Sequence, residues 1–116
     1  MKTENQILLG GYRKISPSSI LMLRADTNYT ITYLVDGTHF LSATTLGILE
    51  ERLKEFNFYR THRSTLINLK YISFFESMSN HLNLNAEIRI NDSVNVPVAR
   101  RKIPEFIKRM QLMAIS

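Results

Sequence analysis

The chain has no cysteine, which removes disulfides, thiolate zinc sites and cysteine nucleophiles together. It also has no apolar run of about eighteen residues, so no membrane-spanning helix is expected. Met1–Gln6 lacks the apolar stretch of a secretory signal, and a soluble, cytoplasmic protein is the expectation. Glycine is scarce, and the pair Gly10-Gly11 lacks the G-x-x-x-x-G-K-[ST] spacing of a phosphate loop. Its job is to turn the chain. Acid is scarce in one half only. Residues 57–116 hold four Asp/Glu against nine Lys/Arg, whereas residues 1–56 hold six of each. The whole net charge of +5 therefore lies in the second half. An electropositive face there attracts polyanions, either nucleic acid or an anionic membrane surface, although charge alone is met as well by a basic solvated surface.

Catalysis lacks its parts. His39, His62 and His81 are too far apart to form a local metal motif, and His62 with Ser64 has no nearby aspartate for a triad. No enzyme activity, metal, cofactor or small-molecule substrate is expected.

What is present suffices for one domain, since 116 residues with 44% apolar content can bury an ordinary core. Residues 1–17 read as a short leader with a strand at Gln6–Leu9 and a turn at Ser16–Ser19; the domain proper is expected over residues 18–113. Ile20–Arg24 is apolar enough for a strand buried on both sides. Tyr29–Val35 and Thr38–Ser42 follow as strands, joined by Asp36-Gly37, the strongest short hairpin signal in the chain. The turn Ala25–Asn28 leaves Asn28 and Tyr29 near a loop tip, where their residue types are explained by a turn former and a strand starter. Leu46, Leu49, Leu53 and Phe56 line one face of a helix, with Thr44 or Thr45 as cap, Glu50 and Lys54 as an i, i+4 pair, and Asn57 as its left-handed end. Tyr71–Met78 reads as a strand and Asn80–Asn85 as a half-exposed strand or edge. Glu87–Ile90 and Val94–Val98 alternate around Asn91–Ser93, offering Ile88, Ile90, Val94, Val96 and Val98 to one core face. Pro97 belongs at an edge or strand end. Ile103, Phe106, Ile107 and Met110 mark a C-terminal helix with Pro104 in its first turn.

Two cationic segments stand out. Phe58-Tyr-Arg-Thr-His-Arg-Ser-Thr-Leu-Ile-Asn-Leu69 places Arg60, His62, Arg63 and Ser64 between apolar anchors, and their donors suit phosphate oxygens. The planar fork of Arg63 also suits a guanine edge. Arg100, Arg101 and Lys102 open the last helix, at the end whose dipole favours anions. Cations there point to an external anion, the contrary reading being that Arg60 and Arg63 serve internal acids such as Glu76.

The run from Phe58 to Leu69, followed by Ile72 and by Val96-Pro-Val-Ala-Arg-Arg101, resembles the F-x-R-x-H-x-S-x-x-V-N and (I/V)-P-V-S-R signature of the LytTR family of bacterial DNA-binding domains. The likeness extends from about Ile20 through the last helix. It implies a mostly β fold (α+β) of short antiparallel sheets with few helices, one mid-chain and one C-terminal. It further implies that loops, not a recognition helix, enter the major groove of double-stranded DNA, as in a transcriptional regulator. Carried over residue by residue, the reading positions fall on Asn28 and Tyr29, on Arg63 and on Arg100. Arg60, His62 and Ser64 match flanking positions that hold phosphates or shape the loop, Arg101 and Lys102 add phosphate attraction, and Asn68 is expected to brace backbone. Ala99 departs from the pattern, where many members have serine. Family members usually bind paired direct repeats, so two copies per site and a homodimer on DNA are implied. They also commonly sit behind a receiver or membrane sensor, and residues 1–17 are too short for either, which suggests a stand-alone regulator or an excised domain. Two rival readings remain: a single-strand-binding β domain that stacks bases on Tyr29, Tyr33, Tyr59 and Phe58, and a basic protein-interaction module.

Overall fold

A computed structural model describes residues 6–10, 13–79, 84–92 and 94–115. The chain divides into two compact units: Met1–Arg60 with Ser64–Lys70, and Thr61–Arg63 with Tyr71–Ser116.

In the first unit, β1 (Ile7–Gly10) pairs antiparallel with β2 (Arg13–Ile15), and a 3-10 turn at Pro17–Ser19 leads into β3 (Ile20–Asp26). There follow β4 (Tyr29–Leu34), β5 (His39–Ser42), helix α1 (Leu46–Arg52), β6 (Phe58–His62) and β7 (Thr65–Asn68). The strands form one sheet in the order β5-β4-β3-β7-β6, in which β6 contributes Phe58, Tyr59 and Arg60 to this unit. Helix α1 lays Leu46 and Leu49, with Leu53 just past its end, against Ile20, Leu23, Phe58 and Leu66, and Leu9 from the segment read as a leader completes that cluster. Each fully buried leucine contributes about 1.5–3 kcal/mol by leaving water.

Helix α1 is shorter than its periodicity predicts. Leu53 already leaves helical geometry at φ −101°, ψ 4°, because its side chain is fully buried and the chain then turns through hydrogen bonds from the Phe56 N–H to the Leu53 carbonyl (3.0 Å) and from the Phe58 N–H to the Phe56 carbonyl (2.7 Å). Asn57 is not left-handed; among the described non-glycine residues Thr27, Asn91 and Asp92 are. Its carbonyl instead accepts the Leu69 N–H at 2.8 Å. With the helix ended at Arg52, Lys54 no longer stands one turn above Glu50, so the expected pair is not formed. Lys54 donates to Glu51 at 2.6 Å, and that hydrogen bond, with the Glu51 charge, raises its pKa.

The hairpin at Asp36-Gly37 forms with a wider loop than expected, since β4 ends at Leu34 and Val35 is exposed. Gly37 supplies φ +92°, and the Asp36 carboxylate accepts the Thr38 hydroxyl (2.6 Å) and the Thr38 N–H (2.9 Å). Strand β3 is buried through Leu23, but Arg24 is exposed, so it is not apolar on both sides along its whole length.

In the second unit, β8 (Ile72–Ser79), β9 (Leu84–Ile90) and β10 (Val94–Val96) form an antiparallel sheet in the order β10-β9-β8, and α2 (Ile103–Ile115) follows. Of the segment 80–85 read as an edge, residues 80–83 lie outside the described residues and 84–85 open β9. Asn91 and Asp92 take positive φ in the turn before β10, as residues that tolerate it should; Ser93 lies outside the described residues. Ile88, Ile90, Val96, Ile103 and Phe106 are buried, and Phe75 meets Phe106 edge-on at 5.0 Å. Val94 is 38% exposed despite pairing with Ile90, because it stands at the strand's start beside the turn, and Val98 lies beyond the strand. The mostly β fold with a mid-chain and a C-terminal helix stands as the sequence implies.

Asn68 joins three segments of the first unit. It is 4% exposed, donates to the carbonyls of Ile20 (2.9 Å) and Pro17 (3.4 Å), and accepts the Lys70 N–H at 3.0 Å. Asn68→Ala leaves those backbone groups unsatisfied in the interior, and a loss of about 1–3 kcal/mol in urea unfolding is expected; a neutral result would show that water replaces the amide. The two Thr38 hydrogen bonds, the hydroxyl's foremost, hold the Asp36 pKa below the ordinary aspartate value. Stability from this contact is fully present above the unfolded-state pKa and is lost as pH falls through the lower folded one. Carboxyl NMR titration should give Asp36 a midpoint below that of an unstructured peptide, and Thr38→Val should move it upward.

Candidate nucleic-acid interface

In the first unit, β3 and β4 are joined by Thr27-Asn28 alone, since Asp26 and Tyr29 are register partners. Asn28 is exposed at the tip and Tyr29 is 49% exposed, the largest apolar body of this hairpin end. Thr27 carries φ 56°, a conformation in which a β-branched side chain crowds its own backbone. Four residues before Asn28, exposed Arg24 stacks its guanidinium over the Tyr33 ring at 5.8 Å. Sequence reading assigned Arg24 to a buried strand and missed it. The signal was a lone cation ending an apolar run two residues before a turn.

The hairpin of β6 and β7 is built from buried strands. Phe58 is 8% and Tyr59 4% exposed, Thr65 through Leu69 are buried, and only Arg63-Ser64 connects the two strands. Within the first unit the Ser64 carbonyl accepts the Ala25 N–H at 2.8 Å, and Arg24 and Thr65 are register partners, so this end of β7 is fixed to β3. Arg60 lies mid-strand, not on the loop. Its guanidinium pairs with Glu50 of α1 at 2.8 Å, an internal acid of the kind weighed for it.

In the second unit, His62 is half-buried and Arg63 exposed, immediately after fully buried Thr61. The Thr61 carbonyl accepts the Ala99 N–H at 2.7 Å, and the Ala99 carbonyl accepts the Lys102 N–H at 2.8 Å. Arg100–Lys102 form the 3-10 turn that opens α2, with Arg100 and Arg101 exposed and Lys102 half-buried. Among the described residues neither Arg100 nor Arg101 is ion-paired with a carboxylate. Two exposed guanidinium groups at a helix start, where the backbone N–H groups already present positive charge, make this end of the helix electropositive. Within this unit, Arg63 lies two residues after Thr61 and Arg100 one residue after Ala99, the two residues joined by that main-chain bond.

The profile of the LytTr DNA-binding domain matches residues 10–111. The chain belongs to the LytTR family. Among solved structures it is similar to the LytTr DNA-binding domain of a protein described as a methyl-accepting/DNA response regulator from Bacillus cereus. That likeness has a TM-score of 0.72 and 18% identity over 93% of this chain and 98% of the other, and it establishes the shared fold. No curated protein matches the sequence. LytTR domains are DNA-binding output domains of transcription regulators, so DNA is the partner of this chain, and the family is one of binding domains and not of enzymes. Among the described residues no helix is long and apolar enough to cross a membrane.

Burial of Phe58 and Tyr59 removes half of the stacking platform considered for single strands, because a ring inside the core has no face to offer a base. Tyr33 is half-buried and is itself covered by Arg24 and tilted against His39 at 5.8 Å. Thr27→Asn, which tolerates positive φ, should raise stability by up to about 1 kcal/mol in urea unfolding; a loss would show that the threonine side chain is needed at the tip.

Proposed function

We propose that this LytTR domain binds double-stranded DNA sequence-specifically by inserting loops into the major groove, and that it does so as a transcriptional regulator. The observation that carries the reading is the pair of exposed arginines, Arg63 at the tip of a hairpin whose strands are buried and Arg100 without a carboxylate partner among the described residues. An exposed guanidinium has the planar fork that can engage G O6 and N7 together. Asn28 and Tyr29 supply a third contact from the β3–β4 tip. His62, Ser64, Arg101 and Lys102 hold phosphates, which position the protein without reading sequence. Arg60 serves mainly as a brace, since engaging a phosphate requires it to leave Glu50. Binding to paired direct repeats places two copies on one site, where they meet as a dimer.

The proposal separates two kinds of variant. Lys102→Ala should weaken binding to all duplexes alike and lower the salt slope by about 1, whereas Arg63→Ala and Arg100→Ala should each cost about 1–3 kcal/mol and flatten preference at one base position. Selection of bound sequences from a random duplex pool, followed by titrations on selected and random duplex, measures both. Equal losses on the two duplexes for both arginine variants would overturn the base-reading assignment.

A further inference from the structure

We infer that the main-chain hydrogen bond from the Ala99 N–H to the Thr61 carbonyl sets the spacing at which Arg63 and Arg100 read the duplex, which makes Ala99 a positioning residue. The inference rests on the reading that those two arginines reach base edges. Ala99 is held at both of its polar groups: its N–H docks on Thr61 at 2.7 Å, and its carbonyl receives the Lys102 N–H at 2.8 Å and so starts the turn that carries Arg100. The acceptor belongs to a fully buried residue, so water does not compete for it. Arg63 lies two residues beyond the acceptor and Arg100 one residue beyond the donor, leaving little chain between the bond and either side chain.

The bond stands apart from the sheet ladders. The segment between β10 and the 3-10 turn is neither strand nor helix, and Pro97 has no N–H to give. Ile103 and Phe106 anchor the far side of the turn by burial, but burial is not directional and leaves sliding less restricted than a hydrogen bond does. Successive base pairs are about 3.4 Å apart along the helix axis. A displacement of Arg100 by that amount relative to Arg63 moves its contact to the neighbouring base pair. Direct readout by two side chains needs their separation fixed to better than one step, and this bond supplies that restraint through atoms that no side-chain substitution except proline removes.

Ala99 sits at φ −65°, ψ 133°, a conformation that proline shares. Ala99→Pro therefore deletes the donor with φ preserved, while Ala99→Ser keeps it. Wild type, Ala99→Pro, Ala99→Ser and Arg100→Ala are each carried through selection from a random duplex pool, with thermal unfolding of each protein recorded. The expected result is that Ala99→Pro loses tenfold or more of its preference at the position flattened by Arg100→Ala, or reads it one base pair away. Preference at the Arg63 position and low-salt affinity for random duplex should stay within about threefold of wild type, and Ala99→Ser should match wild type throughout. If wild type selects no sequence, the base-reading proposal itself fails. If wild type selects and Arg100→Ala flattens a position, but folded Ala99→Pro keeps full preference at the original spacing, the positioning role is overturned. Should Ala99→Pro unfold, ligation of a synthetic C-terminal segment that begins upstream of Val98 and carries an ester in place of the Val98–Ala99 amide removes the same N–H with no ring, and the same two outcomes decide.

Discussion

Burial of the strands on both sides of Arg63-Ser64 is the constraint on which the rest depends. Phe58, Tyr59 and Thr61 leave β6 no freedom to shift, and Leu66, Ile67 and Asn68 hold β7 equally. A one-residue slip would exchange the two faces of a strand and bring charge into the interior. The two connecting residues are therefore presented by default, because the strands that flank them have only one acceptable register. The Ser64 carbonyl and the Asn68 amide then fix β7 to β3 and to the turns at Pro17–Ser19 and Leu69–Tyr71 through hydrogen bonds that apolar burial alone does not provide.

Charge is organised by the same logic. Where a cation has an acid within reach of its own unit it is used internally, as Arg60 is by Glu50. That pair is partly exposed and contributes at most about 1 kcal/mol, so it orients β6 against α1 more than it stabilises them. Arg100 and Arg101 lie in a stretch where the nearest acid in sequence is Glu105, and the scarcity of carboxylate in residues 57–116 becomes a structural fact. Arg24 is intermediate: its charge is spread over the Tyr33 ring and its edge remains exposed.

Much of this was legible in the sequence because the signals were local. Alternation marked β9 and β10, the 3.6-residue stripe marked α1 and α2, and Asp36-Gly37 marked its hairpin. The family signature placed Asn28, Tyr29, Arg63 and Arg100 at segment ends, and the structure puts Asn28, Arg63 and Arg100 on exposed turns and Tyr29 at the exposed first position of β4. What was not legible depended on pairing between distant segments. The partner of Arg60 sits ten residues earlier on a helix, and only the packing of α1 against the sheet brings it within 2.8 Å. The end of α1 at Arg52 was hidden because Phe56 continues the apolar spacing, yet it reaches the core from a turn and not from a helix. The exposure of Arg24 follows from its place near the end of β3, which propensity alone does not reveal.

The bond between Ala99 and Thr61 has a consequence for how such a domain changes over generations. Main-chain atoms are common to nearly all residues, so substitutions at either position leave the frame intact unless proline is introduced at the donor. Under the proposed reading, the side chains at positions 63 and 100 are exchangeable one at a time on an inherited scaffold. On that reading, new target sequences are reachable in single mutational steps, each of which leaves the geometry of the other contact undisturbed.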